Sequence, residues 1–395
     1  MIKIAKSLSD EYIHSFRLKN FCLAHRMPVS ESKPDLIKHV LRYAGGDEKA
    51  VSYKETYNWL LDTIKSGSKE FCLRSVYIPD ETLENFDEII NKKYKQCPKQ
   101  DILSYTNTDR LELVNYKVKY LNKGNISIIS FLFSGNVLEG NKEYEKGSRI
   151  VYPIYIDIYV KEGFIVARYK PKTTIYSCSE NDIIYKENHF KPLEKSMDLI
   201  DELMKTLKIQ NKDINPKQKF QKMMYRLYMK YSFTPRDIQE KVNSEIELRD
   251  CFINKIFEEL ELKETNKEKA KEDMDIFLEK YISINGNMEK IFKEDREAYL
   301  IKIVSDDMLQ MTRIDTASTG QRPLQCSDAF FDGKKSILNN KECKVLHLCY
   351  NRKNNYLGSY IVQLSTVKDV GIIKMYYDPE EVDIQNVLQR IFENY

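Results

Sequence analysis

The sequence predicts an α+β fold, and three observations predict it. Between Leu111 and Tyr176 apolar and polar residues alternate at period two, the signature of strands. From about Asp182 to Lys293 the period becomes helical, and over the last hundred residues short apolar runs return. The predicted architecture is an N-terminal helical module (1–46), a helix plus antiparallel β-sheet domain (47–180), a helical segment (181–293) and a C-terminal α/β cap (294–395). A chain of 395 residues has room for two or three cores, because single cores rarely outgrow about 250–300 residues.

The N-terminal module centres on Arg17 to Arg42. Leu18, Phe21 and Cys22 fall at i, i+3, i+4 on one helix face, and Met27-Pro28-Val29 extends because a residue before proline is pushed out of the α region. Ser32 offers a hydroxyl cap to a second helix that has Pro34 in its first turn and Asp35 at its third position. Leu36, Ile37, Val40 and Leu41 form that helix's apolar stripe, and Gly45-Gly46 ends it. Ser9-Asp10-Glu11 opens a short bracing helix through Tyr12, Ile13 and Phe16. Eight basic against four acidic residues from Met1 to Arg42 leave a local charge of +4.

The next segment reads as one helix over Asp47 to Lys65, a strand over Phe71 to Ile78 and a helix over Glu81 to Tyr94. Two hairpins follow: Leu111–Leu121 with Ile126–Phe133 across Asn122-Lys123-Gly124-Asn125, and Arg149–Val160 with Phe164–Tyr176 across Lys161-Glu162-Gly163. In the third of these strands Ile154, Ile156, Ile158 and Val160 share one face, and Tyr155, Asp157 and Tyr159 share the other. That predicts one dry side and one wet or helix-covered side.

In the helical segment, Pro216 and Pro235 mark helix starts, Thr234 is a natural N-cap, and Glu258 to Glu279 reads as solvated helices turning near Thr265-Asn266. Gly286 separates a further short helix. The C-terminal strands are Tyr299–Val304, Lys344–Tyr350, Leu357–Leu364 and Gly371–Tyr377, with a last helix from Asp378-Pro379 to near Phe392. Thr312 to Asn340, which contains Ala317-Ser318-Thr319-Gly320, reads as a long polar loop.

The helix–loop–helix at Arg17–Arg42 resembles the SAP motif, a DNA-binding unit of chromatin and repair proteins. The resemblance lies in Leu18, Cys22, Met27-Pro28-Val29-Ser30, Lys33 and Asp35-Leu36-Ile37, about a tenth of the chain. The glycine usual after the serine is Glu31 here, which puts an acidic group in the turn. The resemblance implies contact with the phosphate backbone of duplex DNA, with Lys19, Arg26, Ser30, Lys33 and Lys38 as donors.

A second basic surface runs from Lys212 to Arg236, where seven basic residues against one acidic leave +6. Lys222, Arg226 and Lys230 recur every four residues as one ridge, with Lys219 beside it, opposite an apolar face of Met223, Met224, Leu227, Tyr228 and Tyr231. Such a ridge suits phosphate, although a solvated lysine face is the commoner use of the pattern. The whole-chain charge of +3 supplies no global field for a polyanion, so a nucleic-acid surface must be local.

Catalytic signatures are sparse. No GxxxxGK[ST] or GxGxxG occurs, none of the five histidines sits in a triad motif, and no cofactor is implied. Cys343, His347 and Cys349 would share a strand face, but the two thiols would lie about 20 Å apart, too far to share one zinc. Glu342-Cys343-Lys344, with Asp328 and Asp332 upstream, spells a restriction-type nuclease pattern, and Asp306-Asp307 and Asp315 are further candidates for Mg²⁺. Eight scattered cysteines without close pairs and no apolar run of about 20 residues predict a cytoplasmic protein away from membranes. The sequence therefore points to a non-enzymatic DNA-binding recognition or scaffold subunit, for instance in genome maintenance or antiviral defence. A metal-dependent nuclease on the C-terminal strands, or a scaffold that binds only protein partners, is the alternative.

Overall fold

Apolar residues at helical spacing build the N-terminal helices of the computed structural model, which describes residues 2–121, 125–284, 289–293, 296–306, 313–317, 320–352 and 358–395. Helix α1 (Lys6–Tyr12) starts earlier than expected and stops where Ile13 turns extended (φ −110°, ψ 107°) and buries itself. Helices α2 (Ser15–Ala24) and α3 (Lys33–Ala44) flank an extended turn, and Gly45 closes α3 at φ +70°. Ser32 occupies the cap position of α3, but its hydroxyl makes no capping bond; its own N–H instead donates to Ser30 Oγ at 3.1 Å. Helix α4 (Val51–Lys65) begins four residues later than expected, after an extended Ala50.

Strand β1 (Glu70–Tyr77) follows. The single helix expected over Glu81–Tyr94 is two, α5 (Asp80–Glu84) and α6 (Phe86–Lys93). Asn85 breaks them apart at φ −105°, ψ 17°, its side-chain amide donating back to the Glu81 carbonyl. The two hairpins form as β2 (Glu112–Tyr120) with β3 (Ile126–Glu139), and β4 (Ser148–Tyr159) with β5 (Phe164–Tyr169). Asn122, Lys123 and Gly124 of the first expected turn lie outside the described residues. In the second turn Gly163 sits at φ +72°, and a Cβ there would meet the Val76 carbonyl at 2.9 Å. The last expected strand stops at Tyr169 rather than Tyr176, since Pro171 has no N–H for a ladder; β6 (Ile175–Ser177) resumes beyond it, paired to β3.

The chain continues through α7 (Pro192–Thr206), β7 (Gln210–Asn211), α8 (Pro216–Tyr231), α9 (Arg236–Ser244), α10 (Ile246–Glu259), α11 (Lys267–Ile284) and α12 (Glu289–Lys293). Gly286 lies outside the described residues. Pro235, not Thr234, occupies the N-cap of α9. The Thr234 hydroxyl instead donates to Glu279 at 2.7 Å, and Lys334 pairs with the same carboxylate at 2.5 Å. Glu279, expected on a solvated face, is buried by these partners.

The expected loop Thr312–Asn340 is largely ordered as β9 (Arg313–Ala317) and α13 (Asp328–Asn340), with β8 (Ala298–Asp306) before them; Thr312, Ser318 and Thr319 lie outside the described residues. Phe330, Phe331 and Ile337 anchor α13, at spacings the surrounding polar residues obscured. Strands β10 (Val345–Asn351), β11 (Ser359–Val367) and β12 (Val370–Tyr376) and helix α14 (Glu381–Asn394) complete the fold; Leu357, expected to open β11, is outside the described residues.

The chain forms two compact units, Met1–Pro216 with Ile372–Phe392, and Lys217–Gly371 with Glu393–Tyr395. The segments 1–46 and 47–180 fall together in the first unit. Its strands run in the order β2-β3-β4-β5-β1-β12. One sheet face carries Phe131, Phe133, Ile154 and Ile156 under α6, where Phe86 and Tyr94 meet Phe131 and Phe133 edge-on. Helices α1–α4 cover the other face, their buried Leu18, Cys22, Leu36, Val40, Leu60 and Ile64 joining Leu132 and Val151 in one core. Phe392 of α14 stacks on Phe164 of the same face at 4.5 Å.

In the second unit the strand order is β11-β10-β8-β9, all antiparallel. Helix α8 buries Phe220, Met223, Met224, Leu227, Tyr228 and Tyr231. Gly371 admits the Phe220 ring, which any Cβ would strike at 2.3 Å. All eight cysteines are free thiols, and among the described residues no helix is long and apolar enough to cross a membrane.

Candidate functional site

The α2–α3 turn presents its five expected donors unequally. Lys19 pairs with Glu31 at 2.6 Å, so the acidic residue in the turn neutralises one of the cations beside it. Lys38 pairs with Asp35 one turn earlier at 3.2 Å. Lys33 donates to the Asp10 carbonyl at 3.1 Å, and burial, the largest influence on it, lowers the pKa of its ammonium. Ser30 accepts from Ser32 N–H. Arg26 alone is exposed without a side-chain partner among the described residues, held at φ +54° just past the end of α2. Arg17, counted in the local charge, is buried: its guanidinium binds Asp378 at 2.7 Å, Ser66 Oγ at 2.7 Å and the Pro379 carbonyl at 2.6 Å. The module packs on α4, with the Phe21 ring 4.5 Å from that of Trp59.

The α8 ridge keeps its charge. Lys222, Arg226 and Lys230 are exposed along one side of a helix whose opposite side is core, about 6 Å apart per step. Arg226 donates to the main-chain oxygens of Asn394 and Tyr395 at 2.7 and 3.0 Å, so its guanidinium is engaged within the protein. Lys219 lies over the Tyr395 ring at 4.6 Å, and Lys230 over that of Tyr231 at 5.6 Å. Among the described residues neither Lys222 nor Lys230 has a carboxylate partner. Arg236, farther along, is tied to Glu240 at 2.7 Å.

The acidic candidates are engaged elsewhere. Asp328 and Asp332, one turn apart on α13, both pair with Lys280 at 2.9 Å. Glu342 lies ahead of β10 and accepts from Gln218 at 2.9 Å, while Cys343 behind it is buried. Asp307 and the side chains of Asp306 and Asp315 lie outside the described residues. Among the described residues no group of three or more His, Cys, Asp or Glu is placed to hold a metal, Cys343, His347 and Cys349 included.

The structure also assembles a polar site that the sequence did not single out. Lys117, Ser130 and Asp157 stand directly opposite one another across β2, β3 and β4, and Asn115, Leu132, Tyr155 and Arg168 form the adjacent row. Helix α4 lies over this face with Asn58, Leu61, Asp62 and Lys65, spaced i, i+3, i+4, i+7. Asp157, only 3% exposed, accepts from Ser130 Oγ at 2.5 Å and pairs with Lys65 and Arg168, each at 3.2 Å. Arg168, 1% exposed, also forks onto Glu381 of α14 at 2.6 and 3.2 Å. Burial works to raise the pKa of the Asp157 carboxyl, but Lys65, Arg168 and the Ser130 hydroxyl outweigh it and hold the group below the ordinary aspartate value.

Above this buried network a cavity of about 430 Å³ opens under α4. Its signal in the sequence was Asp157 alone, a carboxylate in the stretch 154–159 that is otherwise Ile and Tyr.

No family model matches the chain, and no curated protein matches it.

Proposed function

We propose that this protein binds duplex DNA through the phosphate backbone, as a recognition or scaffold subunit without chemistry of its own. The observation that carries the reading is the α8 ridge: Lys222, Arg226 and Lys230 exposed on one helix side, with no carboxylate partner for the two lysines among the described residues. Point cations at regular spacing, without amide side chains aimed alongside them, suit phosphates rather than base edges. The α2–α3 turn serves as a secondary contact through Arg26, because its lysines are largely satisfied within the module.

The test is a titration of the full chain with a fluorescent duplex, Mg²⁺ present, beside the double variant Lys222→Glu/Lys230→Glu and the single variant Arg26→Glu. The expected result is binding that the α8 variant abolishes and the Arg26 variant only weakens. An equal affinity of the α8 variant and the native chain would remove the ridge from the interface. Shortened duplex would replace the reading with a nuclease, and no binding at low salt would replace it with a protein-partner scaffold.

A further inference from the structure

The cavity beneath α4 gathers polar groups that make no hydrogen bond or ion pair with another protein group among the described residues. Asn58, Asp62, Asn115, Lys117 and the Tyr155 hydroxyl line it, and among the described residues none of them has a hydrogen-bond or ion-pair partner. The cavity's other charged side chains are already committed. Lys65 is tied to Asp157, and Asp101 accepts the Tyr57 hydroxyl at 2.7 Å and the N–H groups of Leu103 and Ser104. Leu61, Ile102, Leu132 and the Tyr155 ring supply apolar walls. Asn58, Asp62 and Lys117 are exposed at the mouth, whereas Ile102 and Leu132 are buried at the base.

The volume, about 430 Å³, is that of a small-ligand site. A purely anionic ligand is disfavoured, because Asp62 and Asp101 line the cavity and Lys65 is paired with Asp157. A purely apolar one would bury two amides and a hydroxyl without partners, which is costly. The arrangement asks for a flat ring with apolar faces, a hydrogen-bonding edge and an anionic tail directed outward. Asparagine amides offer paired donor and acceptor atoms to such an edge, and an aspartate accepts from an exocyclic amine or ring N–H. The Tyr155 hydroxyl is a proton donor at neutral pH, as any tyrosine is, and burial pushes its pKa further up.

We propose that this cavity is a nucleobase-binding site, with the ring against Leu61, Leu132 and Tyr155, its edge on Asn58, Asn115 and Asp62, and the phosphate of the nucleotide at Lys117. The inference rests on the cavity alone and stands independently of the α8 reading. The base can come from a free nucleotide or from a strand that extrudes it.

Calorimetric titration of the full chain with AMP, GMP, CMP and UMP, and with ribose 5-phosphate as the base-free control, decides it. At least one monophosphate binds and ribose 5-phosphate does not, and Asn115→Leu and Asp62→Ala each weaken binding about tenfold. Melting curves verify that each variant folds, and Asn58→Leu, at the exposed mouth, provides a second probe of the same edge. A duplex carrying 2-aminopurine separates the sources. Fluorescence that rises on binding and falls on adding the monophosphate supports an extruded base; monophosphate binding without that rise supports a free nucleotide. The proposal is overturned if no monophosphate binds at millimolar concentration, if ribose 5-phosphate binds equally well, or if all three folded variants bind as the native chain does.

Discussion

Single residues in this protein matter most where charge is buried. Arg168 joins Asp157 on β4 to Glu381 on α14 inside the first unit, and Lys65 reaches the same aspartate from α4. Removing Arg168 leaves Asp157 with Lys65 and Ser130 alone and Glu381 without its guanidinium, and breaking a buried pair costs up to about 3–5 kcal/mol. Arg168→Met therefore destabilises the protein by roughly that amount at neutral pH, measured by urea unfolding. The pH dependence follows from the carboxyls. Burial works to raise the pKa of Glu381, but Arg168, Lys65 and Gln385 outweigh it, so Glu381, like Asp157, titrates below its unfolded value. Each thus contributes stability that is present above the unfolded value, about pH 4, and is lost as pH falls through the folded one. The native chain weakens on acidification below about pH 4, and its advantage over Arg168→Met shrinks over the same range. An advantage unchanged down to the acid transition would show that the arginine does not act through these two carboxylates.

At the scale of elements, helix α13 occupies a stretch that composition marks as loop. Its sequence, DAFFDGKKSILNN, places Phe330 and Ile337 two turns apart, and polar residues with a central Gly333 dilute the stripe. Phe330 is buried against Tyr228, ring centroids 6.4 Å apart, so its truncation removes contacts on two helices of the second unit. Phe330→Ala should cost about 3–5 kcal/mol in an unfolding titration, whereas a true surface loop would lose almost nothing. The strands were legible because alternation at Ile154, Ile156 and Ile158 is a local property, and so is the basic ridge, which needs only the spacing of Lys222, Arg226 and Lys230. Breaks that depend on one backbone angle, as at Asn85, or on a proline's missing donor, as at Pro171, left weaker traces. The polar cavity was illegible for a different reason. Its row joins Lys117, Ser130 and Asp157 through strand register, and Asn58 and Asp62 arrive on a distant helix, so no window of sequence contains it.

For the whole molecule, the relevant quantity is how charge is distributed rather than how much there is. With 63 basic and 60 acidic residues the net charge is +3, and at the α2–α3 turn Lys19, Lys33 and Lys38 already face an internal carboxylate or carbonyl. On the proposed reading, long-range attraction to DNA is weak, and affinity depends on local cations such as Lys222 and Lys230, which have no carboxylate partner among the described residues. That fixes a number. Binding that neutralises about two phosphates through Lys222 and Lys230 releases counterions in proportion, and log K falls against log salt with a slope of about −1.8. Arg26 adds about one further contact if the turn engages the same duplex, steepening the slope to about −2.7. Removing one ridge lysine as Lys222→Ala flattens the slope by about 0.9 and weakens binding alike for unrelated duplex sequences, since phosphates carry no sequence information. Fluorescence anisotropy at a series of salt concentrations measures both. A slope near zero, or a loss confined to one duplex sequence, would show that the contact is not made to the backbone through this ridge.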